Sequence, residues 1–164
     1  MTEDVEDAIV SFLAKNKEKK ISIIWFGGEP LLNIRTIENI TKKLEMEHVN
    51  YSSSMITNGS LLNSHAIDIL KKISIEFIQI SMDGTKTIHD SRRYFHSGKG
   101  SFNIIISGIK RLLSETSIPI TIQVAIDKTN FQEYEKLLVF FNQEFPSQMK
   151  KKRIQLNYNI VKYR

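Results

Sequence analysis

The sequence predicts an α/β fold of parallel strands joined by helical crossovers and curved into a barrel with a wet interior. Two observations carry this. Segments of helical and strand period alternate along the 164 residues: a helix first, then four strand–helix units and a last strand. Three successive strands also place polar residues at alternate positions, so that they share one polar lane. An open parallel sheet covered by helices on both faces tends to be apolar throughout. A polar concave surface that holds a ligand accounts for the lanes better.

The first helix starts after Thr2, with Glu3 and Asp4 in its first turn and Val5, Ala8, Ile9, Phe12 and Leu13 on one apolar stripe. "ISIIWF" (Ile21–Phe26) is a strand, followed after Asn33 by a helix with Ile34, Ile37, Ile40 and Leu44 facing inward. "YSSSMIT" (Tyr51–Thr57) is a strand diluted by serines. The next helix starts near Asn63 or Ser64 and carries Ile67, Leu70 and Ile73. "EFIQISM" (Glu76–Met82) is a strand that leads into a long loop, and a helix capped by Ser101 follows with Ile105, Ile109 and Leu112 on one face. "IPITIQVAI" (Ile118–Ile126) is a strand, and Asn130 with Glu133 three residues later fits a capping box. "RIQLNYNIV" (Arg153–Val161) closes the series. The polar lane is then Gln79, Ser81 and Asp83; Thr121, Gln123 and Ala125; Gln155, Asn157 and Asn159. With no fixed-period repeat, low-complexity segment or linker, one domain over 1–164 is expected.

Composition narrows the function. No apolar run approaches membrane-spanning length and the acidic start "MTEDVEDA" reads as neither signal nor transit peptide, so a cytoplasmic protein without a membrane partner is expected. The net charge of +5 is scattered apart from Lys17–Lys20 and Lys150–Arg153, and both of those clusters precede strands. Solvated loops explain them better than a nucleic-acid stripe. There are no cysteines, which excludes disulfides, a thiol nucleophile and any cysteine-ligated cluster within the chain.

Ligands of parallel α/β folds gather at the C-terminal ends of the strands. Those ends read "GGEP", "TNG" and "SMDG". Gly27 and Gly28 permit close backbone approach, and Glu29 adds acceptors suited to an ammonium group rather than to phosphate. Alone, the four letters fit a plain strand-to-helix turn equally well. Asn58 lies in a common Asn-Gly turn. Ser81 and Asp83 end a polar lane, and Arg93 can return over the rim to hold a carboxylate bidentately. His89 and Asp90 fit a proton-transfer pair or a loop stabilising itself, the commoner arrangement. His48, His65 and His96 have no partners at metal-ligand spacing, and no metal site is expected.

Taken in order, "WFGGEPLL", "MITNGSLL", "ISMDGTKTIHDSRR" and "GKGSFNIIISGIKRLL" resemble the radical S-adenosylmethionine (SAM) superfamily. Within it they resemble the SPASM-containing branch, which includes anaerobic sulfatase-maturating enzymes and peptide maturases. The resemblance covers almost the whole chain, and the ordered set is specific where single motifs are not. It implies a partial (β/α)6 barrel, here lacking its first strand and keeping five parallel strands with crossover helices. It implies that Gly27, Gly28 and Glu29 bind the methionine amino group of SAM, that Ser81 contacts the ribose or nearby atoms, and that Arg93 contacts the carboxylate. Asn58, Asp83, Gln79 and Gln123 are further cofactor-binding candidates on the same rim and lane. A peptide or protein is the implied substrate.

The departure from that pattern is large. The family's Cys-x3-Cys-x2-Cys loop, which holds the [4Fe–4S] cluster, has no counterpart, nor does the cysteine-rich SPASM extension. The chain is therefore expected to be a SAM-binding core fragment with no catalytic residue of its own, inactive as it stands; the alternative is a non-enzymatic scaffold of the same barrel. The strand Ile21–Phe26 is expected to be an open hydrophobic edge that invites self-association.

Overall fold

The computed structural model describes residues 1–161. Helix α1 (Glu3–Ala14) is followed by β1 (Ile21–Trp25), a 3-10 turn at Pro30–Asn33 and α2 (Ile34–Met46). Then come β2 (Tyr51–Thr57), α3 (Ser64–Leu70), β3 (Ile75–Met82), α4 (Lys86–Arg92) and α5 (Phe102–Glu115). The series ends with β4 (Ile120–Ile126), α6 (Glu133–Glu144), α7 (Pro146–Lys150) and β5 (Ile154–Ile160). No helix among the described residues is long and apolar enough to cross a membrane.

The five strands pair in parallel in the order β1-β2-β3-β4-β5. Because every crossover steps in the same direction and parallel crossovers are right-handed, all helices fall on one face of the sheet. A doubly wound sheet would reverse its order and cover both faces. Burial agrees: Ile78, Ile80, Met82, Ile120, Ile122 and Val124 are buried, packed with Ile67, Leu70, Ile105, Ile109, Leu112 and Phe141 of the helices. A smaller cluster of Val10, Ile40, Leu44 and Val49 fixes α1 against α2 and β1.

The opposite face carries the expected lanes, and the register aligns them into rows. Gln79 pairs with Thr121 and Thr121 with Gln155; Ser81 pairs with Gln123 and Gln123 with Asn157. One row was not anticipated. On this face, across β1, β2 and β3, Ile24, Ser54 and Phe77 are neighbours, and both apolar side chains are exposed.

Several local expectations differ from the structure for identifiable reasons. The strand read to Phe26 ends at Trp25, and Phe26 is exposed. The loop after Met82 contains α4, too short at seven residues to show a helical stripe. Thr2 and Ser101 precede helices without capping them through their side chains. The first free N–H of α5, that of Phe102, is instead taken by the Asp90 carboxylate at 2.9 Å. Asn63 does cap α3, accepting from Ala66 N at 3.0 Å.

Asn130 and Glu133 are not a capping box; both side chains reach across to the turn after β3. Arg153 was grouped with solvated loop charges, but its guanidinium donates to Leu113 O at 3.0 Å and to Thr116 O at 2.6 Å. It thus satisfies carbonyls at the C-terminal end of α5 that no helical N–H can reach. Replacing Arg153 with Met is expected to lower stability by about 1–3 kcal/mol. The loss should appear as a lower denaturant midpoint at unchanged slope, and an unchanged midpoint would show that those carbonyls do not depend on it.

Candidate functional site

The C-terminal strand ends form a rim on which three turns meet. After β1, Gly27 has φ +152°, a conformation that side chains rarely adopt, so the backbone itself requires glycine there. Gly28 has no such constraint, and a Cβ built on it would meet no atom within 4 Å. Nothing among the described residues requires glycine at that position.

Glu29 serves its own chain first. Its Oε1 accepts from Leu31 N at 3.0 Å and from Thr57 Oγ1 at 2.6 Å, and its Oε2 accepts from Asn58 N at 2.8 Å. The carboxylate therefore caps the turn leading to α2 and ties it to the end of β2. A carboxylate has about four acceptor sites, so roughly one remains, on Oε2. The Asn58 carbonyl serves its own turn, Oδ1 accepting from Ser60 N at 2.9 Å and Ser60 Oγ at 2.7 Å. Gly59 in that turn has φ +76°, and a Cβ there would lie 2.9 Å from Ile80 Cγ2, which pins β2 close to β3.

The second group gathers after β3. The Asp83 carboxylate is paired with Arg93, Oδ1 to Nη2 at 3.0 Å, while Arg93 Nε is buried and has no acceptor among the described residues. Ser81 and Gln79 lie below on the lane, half-buried. Gln123 donates to Asn159 Oδ1 at 3.3 Å. The structure thus joins Glu29 to Asn58 and Asp83 to Arg93, and puts Ser81, Gln79 and Gln123 on the open face beneath.

His89 and Asp90 are not a proton-transfer pair. Asp90 points to the start of α5 and to Lys86. Burial raises its pKa, but the Lys86 ammonium and the Phe102 N–H outweigh that and leave it below the usual range. His89 is fully buried. Its Nε2 lies 2.9 Å from Ser101 Oγ, whose hydrogen is given to Arg93 O at 2.8 Å. The network therefore assigns the imidazole proton to Nε2 and leaves Nδ1 to accept from Asp83 N at 3.4 Å. His48, His65 and His96 are exposed, and among the described residues no group of three or more His, Cys, Asp or Glu is placed to hold a metal ion.

Sequence reasoning missed three members of this rim: Thr57, Asn130 and Glu133. Thr57 ends a strand and looked like any β-former. The other two matched a local rule whose partners turned out to be tertiary. Asn130 donates to Asp83 O and Ala125 O, and the buried Glu133 accepts from Thr85 N at 2.7 Å and Thr85 Oγ1 at 2.6 Å.

Burial, reinforced by the Arg93 charge, depresses the His89 pKa from 6.5 to about 4. Between those values the unfolded chain takes up a proton that the folded chain refuses. Stability should therefore fall as pH drops from about 6.5 to 4, by up to about 3 kcal/mol from this residue. The part due to His89 is the difference in pH slope between the native chain and a His89→Gln variant. Equal slopes would show that the imidazole protonates without opposition from the fold.

The comparisons with known proteins agree with this sheet. Residues 1–141 match the model of the radical SAM superfamily. The chain is 30% identical over 142 residues to a cysteine-type anaerobic sulfatase-maturating enzyme of Clostridium novyi (strain NT), covering 84% of this chain and 37% of the relative. It is 28% identical over 140 residues to the radical SAM cyclopropyl synthase TigE of Paramaledivibacter caminithermalis, covering 85% and 29%. Among solved structures, native anSMEcpe with bound AdoMet superposes with a TM-score of 0.81 at 20% identity, over 98% of this chain and 42% of that one. Streptococcus suis SuiB superposes with a TM-score of 0.61 at 15% identity, over 96% and 43%. The chain thus spans well under half the length of these proteins, and at such identities the two structures speak for the fold alone. The five parallel strands are those of the partial radical SAM barrel, and the chain belongs to the radical SAM superfamily.

Proposed function

We propose that the rim binds S-adenosylmethionine by its methionine end, as the core of an enzyme that modifies a peptide or protein. The observation that carries this is Gly28, a glycine that neither its backbone conformation nor its neighbours require. It sits beside a carboxylate with an acceptor site to spare and on the same rim as a buried guanidinium edge without an acceptor. An ammonium would take the free Oε2 site of Glu29 and the carbonyls of the glycine turn. A carboxylate would take Arg93, sharing it with Asp83. Ser81, with Gln79 and Gln123 below, would face the adenosyl part from the polar lane.

SAM supplies the adenosyl group in this family's chemistry, once a reduced iron–sulfur cluster donates an electron. The residues here do not fit such a cluster, since the chain has no cysteine. No cleavage step is therefore assigned to this polypeptide. Without a metal to chelate the methionine, one ion pair and a few hydrogen bonds give an affinity on the order of millimolar. The relatives that match include two sulfatase-maturating enzymes, which supports a peptide or protein as the partner of the whole enzyme. The outer edge of β1 pairs with no strand among the described residues, and Ile24 and Phe26 beside it are exposed. Pairing with a further strand there, including one from a second copy, is the expected mode of association.

Gly28→Val tests the binding site with little risk to the fold. It should change stability by no more than about 0.5 kcal/mol, as for an unconstrained surface position, while weakening SAM binding at least tenfold in an amide chemical-shift titration. Unaltered SAM binding would refute the site. For the edge, sedimentation velocity across a concentration series should show reversible association; a single monomeric species throughout would contradict it.

A further inference from the structure

The peptide unit on each side of Asp83 is gripped by a side chain from another element. Asn130 lies buried in the turn between β4 and α6. Its Nδ2 donates to Asp83 O at 2.7 Å and to Ala125 O at 2.8 Å, while its Oδ1 accepts from Asp127 N at 2.7 Å. One amide thus bridges the end of β3 to the end of β4 with both of its donor hydrogens used. From the other side, His89 Nδ1 takes the Asp83 N–H. Beyond Asp83, Gly84 has φ +152°, and a Cβ there would lie 2.7 Å from Glu133 Oε2, so the turn is pressed against the carboxylate that holds Thr85.

The same imidazole governs the other half of the ion pair. Through Ser101 Oγ it is linked to the carbonyl of Arg93. Asp83 and Arg93 therefore have their backbones fixed to opposite ends of one buried ring, and their side chains meet at 3.0 Å. Arginine has a long flexible side chain, and a guanidinium aimed in advance loses less freedom when it captures a planar partner. Asn130 and His89 touch neither end of the ion pair's charged groups. Their hydrogen bonds act on the backbones from which those groups project.

We propose that Asn130 and His89 are positioning residues that hold Asp83 and Arg93 so that Arg93 selects a ligand bearing a carboxylate. This rests on the SAM-binding reading given above and extends it to Asn130, outside the four motifs, and to His89, which that reading left without a role. The clamp sets carboxylate selectivity, not general affinity. Removing it should weaken SAM and leave untouched a ligand that lacks only the carboxylate.

The test is an Asn130→Ala variant titrated with SAM and with decarboxylated SAM, which keeps the ammonium. SAM binding should weaken roughly tenfold, as for loss of one buried hydrogen-bonding partner, and decarboxylated SAM should bind as it does to the native chain. Equal losses for both ligands, or no loss for either, would overturn the clamp. If the native chain binds neither ligand, the SAM reading fails, and the clamp is decided by Arg93 itself. Its Nε–H signal, assigned by its loss in Arg93→Lys, should be resolved from those of the arginines other than the likewise buried Arg153 in the native chain and merge with them in the variant. An identical signal in both proteins would overturn the clamp whatever the ligand. Should Asn130→Ala not fold, Ser101→Ala frees the imidazole ring while removing a single oxygen, and the same measurements and outcomes apply.

Discussion

Parallel strands that all end on one rim leave the backbone groups of each turn beyond the reach of the sheet ladder, and this constraint organises the whole top of the molecule. Every buried N–H and C=O there needs a partner, and the partner comes from the next turn along. The Glu29 carboxylate serves the turn after β2 through Thr57 and Asn58. Asn130 and Glu133, from the turn after β4, serve the turn after β3 through Asp83 and Thr85. The rim is thus a series of turns stapled edge to edge by buried acceptors and donors. Among what this stapling leaves unsatisfied are a spare acceptor site on Glu29, the indole N–H of Trp25 and a guanidinium edge on Arg93, beside the open approach at Gly28. On the proposed reading, Glu29, Gly28 and Arg93 are the groups that meet the ligand.

Most of the architecture could be read from one dimension, because it depends on periods. Strand residues with alternating burial on β3 and β4 were visible as alternating letters, and the helical stripes ending in Leu44 or Leu112 were equally plain. The sequential order followed from strict alternation with right-handed crossovers. What could not be read depends on partners distant in sequence. Asn130 and Glu133 obeyed a local capping rule, yet their side chains bond to residues 47 and 48 positions away. Arg153 looked like one charge among four, but the end of α5 is folded against it, 40 and 37 positions earlier. His89 gave no sign of burial in a stretch of polar letters; only the packing of α4 beneath the rim removes it from water.

The candidate site shows the same division. Gly27, Gly28, Glu29 and Arg93 were identifiable from the ordered set of motifs rather than from any one of them; Gly27–Glu29 follow β1, and Arg93 returns from the end of α4 to Asp83 at the end of β3. Their local duties were not identifiable. Glu29 ties its own turn to the end of β2, and Arg93 already has an anion beside it. A site built this way is rigid without its ligand, since the groups that would bind are also groups that hold turns together.

The central claim is that the rim receives SAM through its amino-acid end. The most direct measurement is a crystal structure of the chain grown with SAM. It should place the ligand ammonium at Glu29 Oε2 and the glycine turn and the carboxylate at Arg93, with the adenosyl group over Ser81. Density for SAM on the helix-covered side of the sheet, or at the rim with its amino-acid end pointing away from Glu29 and Arg93, would contradict the account.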